Sequence, residues 1–217
     1  MLTGSSASAG PAELLKAARE GQHDAIGRLL SQYINYLKIL ASTQLDRKLR
    51  HRVSPSDVVQ ETFCDAHRDF HMFRGTSERE FSAWLRKIMI HNLARIVERH
   101  VLAEKRDVRK EFSLNDMKKS VDRSTMQMDA LLVANQRSPS GEALQRESSV
   151  LLADCLAELA EDYRQVVMLR NFQGLPFKEV ASQMGRSSGA VRMLWLRALT
   201  QLRELIEAKE SQPENDD

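Results

Sequence analysis

The C-terminal run from Tyr163 to Leu205 is the part of this chain that most constrains its fold. Apolar residues recur there every three or four positions, which is the spacing of one face of an α-helix. Two breaks divide the run, the segment 173–176 and the single Gly185. Proline suits a first helical turn, and glycine suits the left-handed position that ends a helix. The run therefore predicts a short helix, a tight turn and a longer helix.

Both predicted helices have one apolar face. Ser187 or Ser188 can cap the longer one. The apolar stripes comprise Phe177, Val180, Ala181 and Met184, then Val191, Leu194, Trp195, Ala198, Leu202 and Leu205. Off the second stripe lie Arg192, Met193, Leu196 and Arg197. This is the form of a helix-turn-helix, whose second helix enters the DNA major groove, although any amphipathic helical hairpin would share it.

Charge is unevenly distributed along the 217 residues. The formal net charge is only +2, which is small for a protein that holds DNA. Basic residues nevertheless cluster between Arg86 and Lys110, whereas the segment after Leu205 is acidic. A local basic face is what phosphate binding needs. A solvated helix face is the commoner explanation of such a cluster, so both interpretations stay open.

Helical patterns also fill the N-terminal half, and strand-like alternation is absent from the sequence. We expect helices over Pro11–Glu20 and Asp24–Leu45, a third from Ser54 to about Phe70, and a long fourth that Ser77 caps. From about Glu111 the pattern degrades into a polar segment, which predicts a linker with at most a short helix.

The expected fold class is all-α, with two small helical domains joined by a flexible linker. The expected limits are a disordered N-terminus at 1–10, a first domain at 11–110, a linker at 111–141, a second domain at 142–209 and an acidic tail at 210–217.

Other classes of site and location are disfavoured by the sequence. Cys64 and Cys155 are far apart and lack partners at metal-ligand spacing, so we expect reduced thiols and no metal or cofactor. His67 and His71 can share a helix face but belong to no zinc motif. Catalytic motifs are missing, which argues against an enzyme. The lack of a signal peptide or membrane-spanning pattern predicts a cytoplasmic protein.

Several motifs resemble those of bacterial RNA polymerase sigma factors. The sequence DVVQETF at 57–63, the loop 73–75, the helix 81–88 and the pair 92–93 look like region 2 of that family. The C-terminal helix-turn-helix resembles region 4. Their order, with only a linker between them, is similar to the small extracytoplasmic-function (ECF) group. The resemblance covers about 12–207, less the linker.

The resemblance implies a protein that binds core RNA polymerase, carries it to promoter DNA and does no chemistry itself. The residues that match the core-polymerase motif are Asp57, Val58, Gln60, Glu61 and Phe63. A helix face that combines carboxylate and amide groups with apolar neighbours suits a basic helical partner. Asp57 can also interact with the dipole of its own helix.

For the downstream promoter element, the resemblance implies that the first domain captures an extruded base about ten positions before the start site. The matching residues are Arg74, Gly75, Trp84, Lys87, Asn92, Arg95 and Arg99. The three cations Lys87, Arg95 and Arg99 suit phosphates. Trp84 and Asn92 have the alternative of being core residues, because they lie on the apolar stripe.

For the upstream element, the residues that match DNA-contacting positions are Ser187, Ser188, Gly189, Arg192, Met193 and Arg197. Arg192 is the best candidate for a guanine edge or a phosphate. This chain has Ala190, Leu194 and Leu196 where the family commonly has threonine, a basic residue and histidine. The recognition helix is therefore less polar than is usual in the family.

An anti-sigma protein is a further partner that the resemblance implies, since many family members are held by one. Two other hypotheses remain for the chain as a whole. An autonomous helix-turn-helix regulator would bind specific DNA without polymerase, and an enzyme with a helical fold would need catalytic groups that the sequence does not present.

Overall fold

The computed structural model describes residues 9–22, 24–45, 53–103, 114–135 and 144–211, and regular structure within these ranges is helical throughout. The all-α fold is confirmed. The helices are α1 Pro11–Arg19, α2 Ala25–Gln32, α3 Ile34–Gln44, α4 Pro55–Asp69, α5 Glu78–Ala103, α6 Leu114–Asn135, α7 Leu144–Glu158, α8 Glu161–Val167, α9 Phe177–Met184 and α10 Ser188–Glu210. A 3₁₀ turn, Phe70–Met72, follows α4, and a π-helical turn, Met168–Phe172, follows α8.

The helix expected over 24–45 is two helices, which corrects the prediction. The break lies at Tyr33, whose φ of −97° and ψ of 4° depart from helical values. Its ring is 2% exposed and meets the edge of Phe81 at a centroid distance of 5.3 Å. The bend therefore coincides with an aromatic contact to α5, which no local pattern around 33 could reveal.

The start of α4 matches the prediction closely. Ser54 is the N-cap and Pro55 is the first helical residue. The Ser54 hydroxyl accepts a hydrogen bond from the Asp57 backbone N–H at 3.1 Å, and the Asp57 carboxylate accepts one from the Ser54 backbone N–H at 2.9 Å. This reciprocal capping box satisfies two backbone donors that the first turn leaves without helical partners.

The segment expected to be a linker contains a 22-residue helix, α6, so the expectation of at most a short helix there is wrong. Its buried side chains recur at helical spacing and are Met117, Val121, Ser124, Met128, Leu131 and Leu132. They face α3, α5 and α7. Methionine and polar residues hide this stripe in the sequence, because the helix is stabilised by packing on distant elements rather than by a strong local pattern. The limits of the two domains stay a prediction.

Helix α7 joins the N-terminal helices to the C-terminal ones. It packs on α3, α6 and α10, and its buried Leu152, Cys155 and Leu156 belong to the same apolar core as Leu37 and Leu40 of α3. The predicted disordered N-terminus and acidic tail lie almost wholly outside the described residues, as do both ends of the predicted linker.

The C-terminal elements α8 to α10 form the expected helix-turn-helix. Gly185 ends α9 with φ 64° and ψ 32°, the left-handed conformation that glycine adopts without a steric penalty. The Ser187 hydroxyl then caps α10 by accepting a hydrogen bond from the Ala190 backbone N–H at 3.2 Å. Val191, Ala198 and Leu202 are fully buried, which confirms the core-facing stripe of α10.

Candidate nucleic-acid and polymerase interfaces

Helix α4 presents one exposed face, and most of the residues matched to polymerase binding lie along it. Asp57 and Gln60 are exposed, while Glu61 and Phe63 are half-buried. Hydrogen bonds from the Ser54 backbone N–H and hydroxyl hold the pKa of the Asp57 carboxyl below its ordinary value, so it stays ionised. Val58 is 0% exposed and lies in the core. The prediction that Val58 contacts core polymerase is therefore wrong for this conformation, because a buried side chain can only support the α4 face from within the core.

The cations of α5 lie against that same face. Arg99 reaches the Glu61 carboxylate at 3.1 Å, and Arg95 approaches Glu61 at 3.7 Å and Asp65 at 3.2 Å. Exposed pairs of this kind each contribute about 0–1 kcal/mol, so they set the direction of side chains more than they stabilise the fold. Arg95 and Arg99, predicted to hold DNA phosphates, are therefore paired with α4 acids in this conformation.

A surface groove of about 610 Å³ lies beside these ion pairs, between α4 and α5. Its lining residues are Asp57, Gln60, Glu61, Cys64, Asp65, Arg95 and Arg99. Both signs of charge are present, together with the exposed thiol of Cys64. The α4 face and the basic end of α5, which were assigned in the sequence to different partners, thus form one continuous surface.

Asn92 is only 2% exposed, so its amide does not reach the surface. Its Oδ1 accepts a hydrogen bond from Arg95 Nη2. Asn92 was predicted either to contact promoter DNA or to be a core residue. The structure matches the core position, because the buried amide is not accessible to a base in this conformation. The amide instead orients the Arg95 guanidinium toward Asp65.

The loop after α4 is tightly built. A Cβ at Gly75 would lie 2.4 Å from the Phe73 ring and 2.7 Å from the Glu80 Cβ, so only glycine fits. The Glu80 carboxylate accepts hydrogen bonds from the Thr76 N–H at 2.8 Å and the Ser77 N–H at 3.1 Å, and these lower its pKa. Gly75 therefore shapes the loop, while Arg74 remains exposed beside it.

Four aromatic rings underlie this loop. Trp84 is half-buried and lies 5.1 Å from Phe73, 5.7 Å from Phe81 and 6.3 Å from Phe70, measured between ring centroids. Such contacts hold the rings in one arrangement. Trp84 consequently belongs to the core cluster while keeping part of its surface near the loop.

Lys87 is exposed on a different side of α5. It lines a cleft of about 480 Å³ between α5 and the N-terminal half of α6. The other lining residues are Ala83, Arg86, Ile90, His91, Leu114, Asn115, Lys118 and Asp122. Lys87 and the pair Arg95–Arg99 therefore do not converge on one point, and α6 stands beside the lysine.

The N-cap and the first three turns of α10 carry the residues matched to the upstream element. Ser187, Ser188, Gly189, Arg192, Met193 and Arg197 are all exposed. Two large apolar side chains share this exposed region, Met193 at 53% and Leu196 at 49%. Exposed apolar groups on a recognition helix can contact thymine methyl groups, so the surface is chemically suited to a major groove despite its reduced polarity.

An aromatic cluster at the start of α9 was not expected from the sequence, which placed Phe177 simply on an apolar face. The Arg192 Cζ lies over the Phe177 ring at 5.5 Å from its centroid, and the Arg170 Cζ lies at 4.8 Å. Trp195 meets the same ring edge-on at 5.6 Å and donates a hydrogen bond from Nε1 to the Asn171 Oδ1 at 2.9 Å. The separation of these residues along the chain concealed the cluster.

Comparison with known proteins places this arrangement in a family. Residues 149–202 match the family model described as Sigma-70, region 4. An ECF RNA polymerase sigma-E factor of Haemophilus influenzae is 29% identical over 196 residues, which cover 90% of this chain and 93% of that protein. The ECF RNA polymerase sigma factor BldN of Streptomyces coelicolor is 31% identical over 200 residues, which cover 89% of this chain and 65% of BldN. The chain belongs to the ECF sigma factors.

The matched region 4 segment begins in α7 and ends within α10, so it includes α8, α9 and the part of α10 that carries the exposed residues. A solved structure of an RsbN–BldN complex covers 88% of this ECF sigma factor at 24% identity, with a TM-score of 0.31. Within the described residues, no helix is both long and apolar enough to cross a membrane, and no group of three or more histidine, cysteine or acidic side chains could hold a metal ion.

Proposed function

We propose that this protein is a dissociable specificity subunit of bacterial RNA polymerase, which binds the core enzyme and directs it to promoters with two elements. The observation that carries the proposal is the presence, in one ECF sigma factor, of an exposed and capped α4 face and an exposed recognition helix α10. The protein supplies binding surfaces and positioning, and the polymerase supplies the chemistry. It acts in the bacterial cytoplasm, where polymerase and DNA are located.

The α4 face docks on the core enzyme in this proposal. Asp57, Gln60 and Glu61 present carboxylate and amide groups, and the half-buried Phe63 adds apolar area. A basic helical surface on the polymerase would complement these groups. Val58 supports the face from the core, and Arg95 and Arg99 limit the motion of the α4 acids until a partner competes for them.

The downstream element is captured by the loop that contains Arg74 and by α5. Gly75 gives the loop its shape and the aromatic cluster around Trp84 supports it, so an extruded base meets a preformed surface. Lys87, Arg95 and Arg99 supply cations for the strand, although the two arginines must first exchange the α4 carboxylates for phosphates. Asn92 acts through Arg95.

The upstream element is read by α10, whose N-terminal residues enter the major groove. Arg192 is the side chain that reads a base edge, and Met193 contacts apolar base groups. The DNA sugar–phosphate backbone lies against Arg197 and the Ser187–Gly189 segment. An anti-sigma protein that covers one of these surfaces would silence the factor.

Co-purification with cognate core RNA polymerase tests the proposal directly, followed by transcription from a promoter library with and without the protein. We expect a stoichiometric complex and transcripts from promoters that share two spaced elements. Tight, specific DNA binding by the isolated chain, with no binding to a competent core enzyme, would instead identify an autonomous helix-turn-helix regulator.

A further inference from the structure

The Arg192 side chain is supported from beneath by an aromatic ring. Phe177 is the first residue of α9 and is half-buried, whereas Arg192 lies exposed on α10. The distance of 5.5 Å from the guanidinium carbon to the ring centroid is within the range of a cation–π contact. Among the described residues no ion pair holds Arg192, so this ring is the feature that restrains its direction.

The ring is itself held in place. Trp195 packs edge-on against Phe177 at 5.6 Å, and the Trp195 indole N–H is bonded to Asn171 at 2.9 Å. Arg170 lies over the same ring at 4.8 Å and donates a hydrogen bond to the Leu175 carbonyl at 3.1 Å, which ties it to the turn before α9. Phe177 is therefore a fixed platform rather than a mobile side chain.

We propose that Phe177 is a positioning residue for promoter reading, because it holds the Arg192 guanidinium in the direction needed to meet a base edge. A long exposed arginine otherwise samples many rotamers, and a bidentate contact requires one. Restraining the side chain before binding reduces the conformational entropy that recognition must lose. This inference rests on the proposed function, since it assumes that α10 meets DNA.

Phe177 also packs against the hydrophobic core, so a loss of activity in a variant could reflect packing alone. A double-mutant cycle separates the two roles. A positioning effect requires the Arg192 side chain and disappears when that side chain is removed, whereas a packing effect persists in both backgrounds.

The experiment uses full-length protein in complex with core polymerase and measures transcription from an upstream-element library. The variants are Phe177→Leu, Phe177→Met, Phe177→Tyr, Arg192→Ala and the combination of Phe177→Leu with Arg192→Ala. Met184→Leu, a conservative change at the other end of α9, is the matched packing control. Thermal unfolding of each variant confirms that it is folded, and the methionine variant replaces the leucine one if the latter unfolds.

We expect Arg192→Ala to relax preference at one position of the upstream element. Phe177→Leu should reduce the same preference about two- to fivefold, the effect of losing one exposed cation–π contact, while Phe177→Tyr retains it. In the Arg192→Ala background, Phe177→Leu should have no further effect, and Met184→Leu should be neutral.

Two results would overturn the inference, and they are distinguishable. Equal losses from Phe177→Leu with and without Arg192 would show that the ring serves packing only, and the proposed function would stand. No change in preference from Arg192→Ala would remove the assignment of that arginine to base reading, and with it the role of Phe177. Failure to bind core polymerase at all would contradict the proposed function itself.

Discussion

At the scale of single residues, exposure separates the side chains that can meet a partner from those that support them. Gln60 lies exposed in the middle of the α4 face, between the capping residue Asp57 and the acidic residue Glu61 that pairs with α5. Charge reversal at Asp57 would break the capping box, and reversal at Glu61 would place a cation beside two arginines. Gln60 is thus the residue that tests the face with the least disturbance of the fold.

Gln60→Arg should weaken binding to core polymerase by at least about 1 kcal/mol, because it puts a bulky cation on the α4 face, for which we propose a basic partner surface. Gln22→Arg makes the same chemical change at an exposed position before α2 and should leave affinity unchanged. Titration of labelled core enzyme with each variant measures the difference. Equal affinities for both variants would exclude the centre of the α4 face from the interface.

The two thiols should differ strongly in reactivity. Cys64 is exposed in the α4–α5 groove, whereas Cys155 is 0% exposed and burial raises its pKa to about 11. A maleimide should therefore label Cys64 rapidly near neutral pH and Cys155 only when the protein unfolds. Bound core polymerase should protect Cys64, and prior labelling with a bulky maleimide should block binding. Mass spectrometry follows both sites, with Cys64→Ser as the control. Undiminished labelling in the complex would place the polymerase elsewhere.

At the scale of elements, α4 depends on its cap more than on its composition. Its interior contains β-branched residues, which are weaker helix formers than alanine or leucine, so the first turn needs stabilisation. The Ser54–Asp57 capping box stabilises that turn, which lies at the end of the helix where the proposed docking surface, the α4 face, begins. Loss of the cap should therefore affect both stability and docking.

Ser54→Ala should lower the free energy of unfolding by about 0.5–2 kcal/mol, the usual effect of losing a serine N-cap. Ser56→Ala removes a hydroxyl two residues later on the same exposed turn and should have little effect. Urea denaturation of both variants provides the comparison. If the two substitutions prove equally costly, the capping geometry does not stabilise α4.

The Asp57 carboxylate of the capping box should make the free energy of unfolding depend on pH. The pKa of Asp57 in the folded protein lies below its ordinary value of 3.8, so its stabilising effect is complete above that value and is lost as the pH falls through the folded pKa. The stability difference between the wild type and Asp57→Asn should be constant near neutral pH and should shrink below about pH 4. Urea titrations at several pH values test this, and a difference that widens in acid would contradict it.

At the scale of the whole molecule, the closeness of the two halves conflicts with promoter recognition. The Asn35 amide of α3 donates a hydrogen bond to the Asp154 carboxylate of α7 at 2.7 Å, across 119 residues of sequence. A compact chain of this length is about 45 Å across. The resemblance to sigma factors implies an upstream element about 25 base pairs from the downstream one, which is a separation of about 85 Å. If the protein engages both elements as proposed, we expect the α3–α7 contact to open first.

A disulfide across that contact should hold the closed arrangement. In a Cys64→Ser background, Asn35→Cys and Asp154→Cys together should form a bond under oxidation and abolish transcription from two-element promoters. Reduction should restore it. Mass spectrometry confirms the bond, and the single Asn35→Cys variant controls for the substitution. Full activity of the oxidised protein would show that the closed contact is compatible with initiation.

Local signals in the sequence determined which segments are helices, where most of them begin and end, and which motifs identify the family. Ser54, Ser77, Gly185 and Ser187 act on backbone groups within a few residues of themselves, so their roles can be read without knowledge of the rest of the chain. The helix-turn-helix and the exposed residues of α10 were predictable for the same reason.

Only the tertiary structure decided which matched residues are available and what lies against them. Val58 and Asn92 are buried, and Arg95 and Arg99 pair with acids 30 and 38 residues away. Helix α6 forms because α3, α5 and α7 bury its methionine-containing stripe, and Phe177 lies beneath Arg192 because α9 packs against α10. Packing between segments distant in sequence produces each of these features. Helical periodicity predicts which face of a helix is apolar, but not which other element packs against that face.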